Sequence, residues 1–563
     1  MNFKQFNKRE LNPVNHNTAS GSLSLEAIKK SFSWYKTGRI NLAHECIDKH
    51  TEGKLKNKRA LICISGGSKD AELTFNDLKN YTDQFSHLLL KNGFSKGEKV
   101  LIWLPRIPEF YIALMGVIKA GGIPVPLSEF SSSKLILEIL ESTQGTAYMV
   151  STPLFLSTLP YIPLKLKTII INGNDDFPSS SSLKEFHMED SFINAETTKW
   201  VDLFDGLTAH YTLGCFSKPK PKLTVYKQNL MILIRQYGEL VLNLKEGDTF
   251  WSTVDTGWAA GTLYGIFAPW LMGAAVVSAD MGTALTKWEE IIEKYKINVI
   301  YTTPGMLRKI MAKNSRKING FKHLKHICCT GEPISAEITK WALNLGLPVY
   351  SSWFATEIGV PAISNYPSSP SKLGAMGRPL PGIEAAVFDD KGNRLKPYQV
   401  GKLGVRISDG GCSKKEDSIY KETSWLLTED LVYIDDEGCF WYEGKADNLK
   451  KSAAEAGTFY ESQWEAHLLK HPAVEEAGVI IKGRKDNEEK IIKAFISLKD
   501  KNQWGAELER ELTNYLLQGI KENKPKVEIE VRDKLPMTRS GKILRHILAA
   551  WDEDSSLKRV NNL

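Results

Sequence analysis

Residues 74–104 read TFNDLKNYTDQFSHLLLKNGFSKGEKVLIWL. The segment holds a helix, a stop and a strand in succession. Thr74 with Asp77 three residues on is a helix-start signal, because the two side chains can cap the free N–H groups of the first turn. Leu78, Tyr81, Phe85, Leu88 and Leu89 then recur at three- and four-residue spacing, which lines one face of a helix. Asn92–Gly93 ends it. Val100–Leu104 (VLIWL) is a short unbroken apolar run, the mark of a strand covered on both faces.

The alternation continues in both directions. Phe110–Lys119 reads as a helix stopped by Gly121–Gly122, and Ala147–Val150 and Thr168–Ile171 read as strands. Leu285, Trp288, Ile291, Ile292 and Tyr295 share one helical face; a strand at Asn298–Tyr301 and a turn at Pro304–Gly305 follow. Strands alternating with helices of this length imply parallel sheets covered by helices, an α/β fold. Near residue 430 the texture changes. Val432–Ile434, an acidic turn ending in Gly438, and Cys439–Tyr442 form a hairpin pattern. Beyond a lysine-rich stretch lies a compact run with strands at Ala477–Ile481 and Ile492–Ser497 and helices at Gln463–Leu469 and Leu508–Ile520. The expected organisation is a polar arm over 1–38, a large N-terminal domain of α/β subdomains over 39–443, a hinge at 444–448 and a small mobile α+β domain over 449–563. Pro178–Ser182 and Pro367–Ser371 read as surface loops, and no internal repeat is evident.

A chain of 563 residues is too long for one hydrophobic core. Its 42% hydrophobic and 25% charged residues are ordinary for a globular protein. The net charge of +7 is small for the length, and the lysine groups at 218–222 and 521–526 lack interleaved aromatics, which argues against nucleic-acid binding. Seven cysteines form no CxxC pair, so neither a disulfide framework nor a zinc site is expected. The opening MNFKQFNKRELNPVNHN has no apolar core of a secretory signal. The most apolar stretch, Tyr264–Ala279, contains Pro269 and falls short of the ~20 residues of a membrane span, so it reads as buried core. These features point to a cytoplasmic protein without membrane association.

Chemistry enters at His210–Lys222, HYTLGCFSKPKPK. A small, lysine-bearing loop after a strand can cradle phosphate through N–H groups and charge. From composition and spacing alone, a plain surface loop with three lysines is the better fit. Further segments follow in order: DTGWAAG (255–261), GEP (331–333), WFATE (353–357), TED (428–430) and PMTRSGKILR (536–545). Taken singly, each is a turn, a strand end or a basic tail.

In this order and spacing they resemble the motif series of the AMP-forming adenylate-forming superfamily (acyl-CoA synthetases, luciferases, peptide-synthetase adenylation domains). The resemblance is greatest to the acetyl-CoA synthetase group of the Bacillus type and runs from about Ile40 to Asp552. It implies a ligase that joins a small carboxylate to the α-phosphate of ATP, releases pyrophosphate and passes the acyl group to CoA, with Mg²⁺ as helper. Lys542 matches the adenylation lysine. Thr356 and Glu357 match the catalytic pair whose carboxylate coordinates Mg²⁺. Thr212, Gly214 and Lys220 match the phosphate loop. Gly331, Glu332 and Pro333 match the adenine turn. Trp353, Asp430 and Lys445 match the remaining nucleotide contacts, Asp430 on the ribose hydroxyls. Trp258, Ala259, Ala260 and Phe354 match the acyl pocket, and Asp447 matches the hinge residue.

The pattern is also eroded. In the phosphate loop Leu213, Cys215 and Phe216 replace hydroxyl residues, and Ser217 and Pro221 replace glycines. Each lost hydrogen bond to a charged phosphate is worth about 1.5–3 kcal/mol, and a proline removes a donor outright. After the hinge, Ala454 stands for a tunnel glycine and Ala456 for an arginine. Phe354 replaces a pocket-capping tryptophan, and Ala259 and Ala260 replace larger side chains, so a pocket somewhat roomier than acetate needs is expected. Two other readings follow from these departures. One is a catalytically silent relative that binds AMP, acyl-adenylate or a protein partner as a regulator. The other is an adenylating enzyme whose acceptor is not CoA.

Overall fold

The computed structural model describes residues 25–552 except 66–69, 143–147, 162–165, 172–182, 187–196, 214–220, 314–320, 335, 370–371, 373, 408–424, 446–460, 485–486, 501–502, 518–524, 538–542, 544–547 and 549–550. The chain forms a large N-terminal domain built on α/β sheets and a smaller α+β C-terminal domain, as its strand–helix alternation implies.

The widest sheet has nine strands in the order Arg378–Pro379, Pro361–Ser364, Val349–Phe354, His326–Thr330, Val299–Thr302, Thr249–Ser252, Ala275–Ala279, Arg59–Ile64, Ala71–Thr74. From Val349–Phe354 through Arg59–Ile64 neighbouring strands run parallel, while both edges close antiparallel. Parallel strands need both faces covered, and the sheet divides two apolar clusters. Adjacent residues on one strand serve different sides: Cys328 packs in the larger cluster and Cys329 in the other, each 0% exposed.

A second, all-parallel sheet has the order Ile123–Pro126, Lys99–Trp103, Tyr148–Ser151, Lys167–Ile171, Leu183–Phe186. The helix Phe75–Lys91 precedes it, with Thr74 and Asp77 exchanging cap hydrogen bonds. The helix Pro108–Lys119 packs on that helix. Its last residue, Lys119, is 0% exposed and donates to Asp48, Thr82 and Asp83. A cation without water is tolerable only with such partners. An antiparallel hairpin, Gly206–Leu213 with Pro221–Lys227, adjoins this sheet through Thr208, whose hydroxyl donates to the Pro124 carbonyl.

Two local expectations give way. Leu285–Tyr295 is not one helix: helices Met281–Thr286 and Trp288–Tyr295 meet at Lys287, whose backbone (φ −115°, ψ 24°) is not helical. Pro304–Gly305 is not a turn but the start of a helix, Pro304–Lys313. Proline suits a first turn, where its missing N–H has no partner to lose. Tyr264–Ala279 is buried, as a helix with one wide turn followed by a strand. Among the described residues no helix is long and apolar enough to cross a membrane.

Next comes a four-stranded antiparallel sheet, Ile383–Phe388, Gly401–Ile407, Leu426–Ile434 and Phe440–Lys445. Its last two strands are the hairpin foreseen near residue 432. The C-terminal unit pairs Val474–Arg484 antiparallel with Asn487–Leu498 and sets Lys526–Val531 parallel beside it. The helices Glu461–Leu468 and Ala506–Leu516 bury Trp464, Leu468, Leu508, Leu512 and Leu516 in a core of its own.

Candidate active site

Segments singled out by sequence gather where parallel strands end. Thr253–Ala260 follows Thr249–Ser252, Gly331–Pro333 follows His326–Thr330, and Ala355–Glu357 follows Val349–Phe354. In open α/β sheets ligands bind outside the carboxyl ends of the strands, where loops diverge and backbone groups lie unpaired.

Asp430 anchors one side. It is 7% exposed and lies beside a bulge in its strand, in cross-strand register with Lys445. Its Oδ1 lies 2.7 Å from Lys445 Nζ. Its Oδ2 accepts from the Trp353 indole N–H at 3.1 Å. The structure thus joins Asp430, Lys445 and Trp353 from three strands. A carboxylate has about four lone-pair directions, so these partners leave acceptor capacity for a ligand.

Glu332 is held by partners on another element. Its Oε1 accepts the Gly305 N–H at 2.7 Å and its Oε2 the Arg308 guanidinium at 2.8 Å. The carboxylate therefore caps the helix Pro304–Lys313 and neutralises an arginine within it. On the same turn Gly331, at φ +96°, and Pro333 are exposed.

Ala259 and Ala260 are buried at the start of a helix, with Trp258 at its N-cap position. Phe354 lies edge-on to Tyr264, ring centres 6.0 Å apart, and Tyr264 donates to the Gly359 carbonyl at 2.8 Å. Trp258 also borders a cavity of about 30 Å³ lined by Asp255, Met281, Thr303 and Met306. The Thr356 carbonyl accepts the Tyr226 hydroxyl at 2.5 Å, and Glu357 beside it is exposed. Among the described residues no group of three or more His, Cys, Asp or Glu could hold a metal. Mg²⁺ is commonly held by one or two carboxylates plus substrate phosphates, and an exposed Glu357 fits that mode.

Gly214, Lys220, Asp447 and Lys542 lie outside the described residues, as do Ala454 and Ala456. Thr212 lies on the strand Gly206–Leu213, one end of the hairpin that carries the phosphate-loop segment.

Sequence reasoning missed several residues. Arg106, 8% exposed, donates to the Val254 carbonyl at 2.9 Å and to the Ser252 carbonyl at 3.3 Å, bracing the strand end before Trp258. His210 was visible within HYTLG but read only for the loop beyond it. Tyr226 carried no signal, since a tyrosine in a strand is unremarkable without its partner.

Residues 48–409 match the model of the AMP-binding enzyme family, and residues 463–542 match the AMP-binding enzyme C-terminal domain. The chain is 35% identical over 535 residues to acetyl-coenzyme A synthetase of Bacillus subtilis, covering 92% of this chain and 91% of that protein. It is 26% identical to acetyl-coenzyme A synthetase of Escherichia coli K12, covering 92% and 84%. The fold is shared with a crystal structure of the anthranilate CoA ligase AuaEII in complex with anthranoyl-AMP (TM-score 0.77, 22% identity, 92% of this chain and 98% of that one). It is also shared with a benzoate CoA ligase from Burkholderia xenovorans (TM-score 0.76, 20% identity, 90% and 99%).

Proposed function

The chain belongs to the AMP-binding enzyme family, and from that premise we propose that it is an AMP-forming ligase that activates a short carboxylic acid with ATP and transfers the acyl group to CoA. The observation that carries the reading is the Asp430 carboxylate, nearly buried and held from both sides by Lys445 and Trp353, which presents fixed acceptors suited to ribose hydroxyls.

In the first step the substrate carboxylate oxygen forms a bond to the α-phosphorus while the bond to pyrophosphate breaks. In the second, the CoA sulfur bonds the acyl carbon and AMP leaves, the thiol proton passing to solvent. The first step brings anions together, so positive charge must face them. Lys542 supplies a point charge to the carboxylate and α-phosphate oxygens. Glu357 would hold Mg²⁺, which neutralises phosphate charge when bound. Asp430 orients the ribose, and the Gly331–Pro333 main chain borders the base. Phe354, Trp258, Ala259 and Ala260 limit the acid to short chains.

The eroded phosphate loop and the Ala454 and Ala456 positions support lowered efficiency. The same residues favour a second reading, a relative that binds nucleotide or a partner without turnover. Ala454 together with an intact Lys542 in the sequence favours an acceptor other than CoA. ATP–pyrophosphate exchange with acids of two to eight carbons tests the proposal because it isolates the first step. Exchange dependent on a two- to four-carbon acid is the expected result. Nucleotide binding without exchange for any acid would replace the ligase by the silent relative.

A further inference from the structure

The hairpin Gly206–Leu213/Pro221–Lys227 carries the segment matched to the phosphate loop. Two of its ring side chains leave it for turns on other elements. His210, 1% exposed, places Nδ1 at 3.2 Å from the Gly257 carbonyl. A carbonyl can only accept, so Nδ1 carries the ring proton. Burial pulls the imidazole down to about 4, which keeps it neutral. Gly257 immediately precedes Trp258, Ala259 and Ala260. Its turn is fixed on the other side by Asp255, which accepts from the Gly257 N–H at 2.8 Å and the Ser128 hydroxyl at 2.6 Å. It is also tightly packed: a Cβ at Gly257 would lie 2.3 Å from Ser128 N.

Tyr226 sits on the other strand, paired with Thr208, so it is a diagonal neighbour of His210 across the hairpin. The two rings lie 5.8 Å apart. The Tyr226 hydroxyl donates to the Thr356 carbonyl at 2.5 Å. Its ring covers Gly359, at φ +68°, where a Cβ would lie 2.5 Å from Tyr226 Cε1. Both contacts end on backbone carbonyls, so they fix main chain rather than a mobile side chain.

We propose that His210 and Tyr226 are positioning residues that yoke the phosphate hairpin to the acyl turn at Gly257–Ala260 and to the Thr356–Glu357 turn, holding the acid and the nucleotide in one register. The identity of the two turns rests on the ligase reading. The benefit is geometric: in-line attack needs reacting atoms about 3–3.5 Å apart, and a shift of about 1 Å can cost a hundredfold. Groups of like charge do not find that geometry unaided.

Amide hydrogen exchange on the full chain tests the yoke without relying on activity. Tyr226→Phe removes one hydroxyl, and amides of 355–360 should then exchange about five- to tenfold faster, the weight of one hydrogen bond. His210→Leu should do the same to 256–262. His210→Asn, whose amide nitrogen can replace the Nδ1 donor, should restore protection. No local change, or a uniform rise along the whole chain, would overturn the proposal. In pyrophosphate exchange, Tyr226→Phe and His210→Leu should raise KM for acid and for ATP together, and His210→Asn should recover both. A fall in kcat with both KM values unchanged, the mark of merely lost protein, would also overturn it. If the unaltered protein exchanges with no acid, the ligase reading fails, and the amide measurement alone decides the yoke.

Discussion

Asp430 shows how far one side chain can be read. The resemblance of TED to a family motif implied a ribose-binding carboxylate there, and Lys445 lay within the next motif. The Trp353 indole N–H on its second oxygen was not legible, because that contact joins strands from separate sheets. Asp430→Ala should weaken AMP binding about 10- to 100-fold, the worth of one hydrogen bond to a charged group, with calorimetry as the check. Asp430→Asn should lie between, since it keeps the shape but leaves Lys445 without its counter-charge. Phe354 carries a prediction about substrate. Its ring stands edge-on to Tyr264, which the Gly359 carbonyl anchors, and it is aromatic but smaller than a tryptophan in its place. Each extra buried methylene gains about 0.8 kcal/mol, roughly fourfold in binding. Propionate or butyrate should therefore bind at least as well as acetate. Phe354→Trp should return the preference to acetate, and Phe354→Gly should admit longer acids. A flat profile across two to eight carbons would show that Phe354 does not set the limit.

Elements were legible where a local signal fixes an end. Thr74 and Asp77 announced the helix Phe75–Lys91, and the cap is present on both sides. Thr74→Ala should cost about 1 kcal/mol, read as a lower denaturant midpoint at unchanged slope. The break at Lys287 was hidden because both short helices bury the same side, so the apolar spacing runs through it. Pro304 misled because proline–glycine suggests a turn, whereas Glu332, distant in sequence, supplies the cap that lets a helix begin there. The phosphate-loop segment is the element with most to regain. Returning Leu213, Cys215 and Phe216 to Ser, Ser and Thr, with Ser217→Gly and Pro221→Gly, should tighten ATP binding by at least tenfold, since more than one charged hydrogen bond is restored. No change by calorimetry would mean that this loop no longer faces a nucleotide.

At the scale of the molecule, alternation gave the α/β class and the change of texture near residue 430 gave the second unit, because both are averages over many residues. Strand order was not legible, since non-neighbouring segments such as Arg59–Ile64 and Ala275–Ala279 pair without any local mark. Buried histidines give the whole fold a pH dependence. His210 and His326 are both drawn down to about 4 by burial, while an unfolded histidine takes up its proton near 6.5. Between those values the unfolded chain binds more protons, so stability is full above about pH 6.5 and falls toward pH 4. Each histidine accounts for about 3 kcal/mol of that loss. Urea midpoints at pH 7, 6, 5 and 4.5 should decline accordingly, with His50, also lowered by burial, adding to the fall, and His210→Asn should make the decline shallower. A midpoint constant over this range would refute the account.

The neighbouring thiols of Cys328 and Cys329 are sealed in opposite halves of the interior, and burial raises both pKa values well above the ordinary thiol range. Neither can meet a reagent in the closed protein, yet they are consecutive in the chain and fall in one proteolytic peptide. Mass spectrometry of that peptide after brief alkylation would therefore count zero, one or two adducts. Single adducts at Cys328 report that one side of the sheet has opened while the other holds. Doubly labelled peptide reports that both sides have parted, so two atoms distinguish partial from complete unfolding.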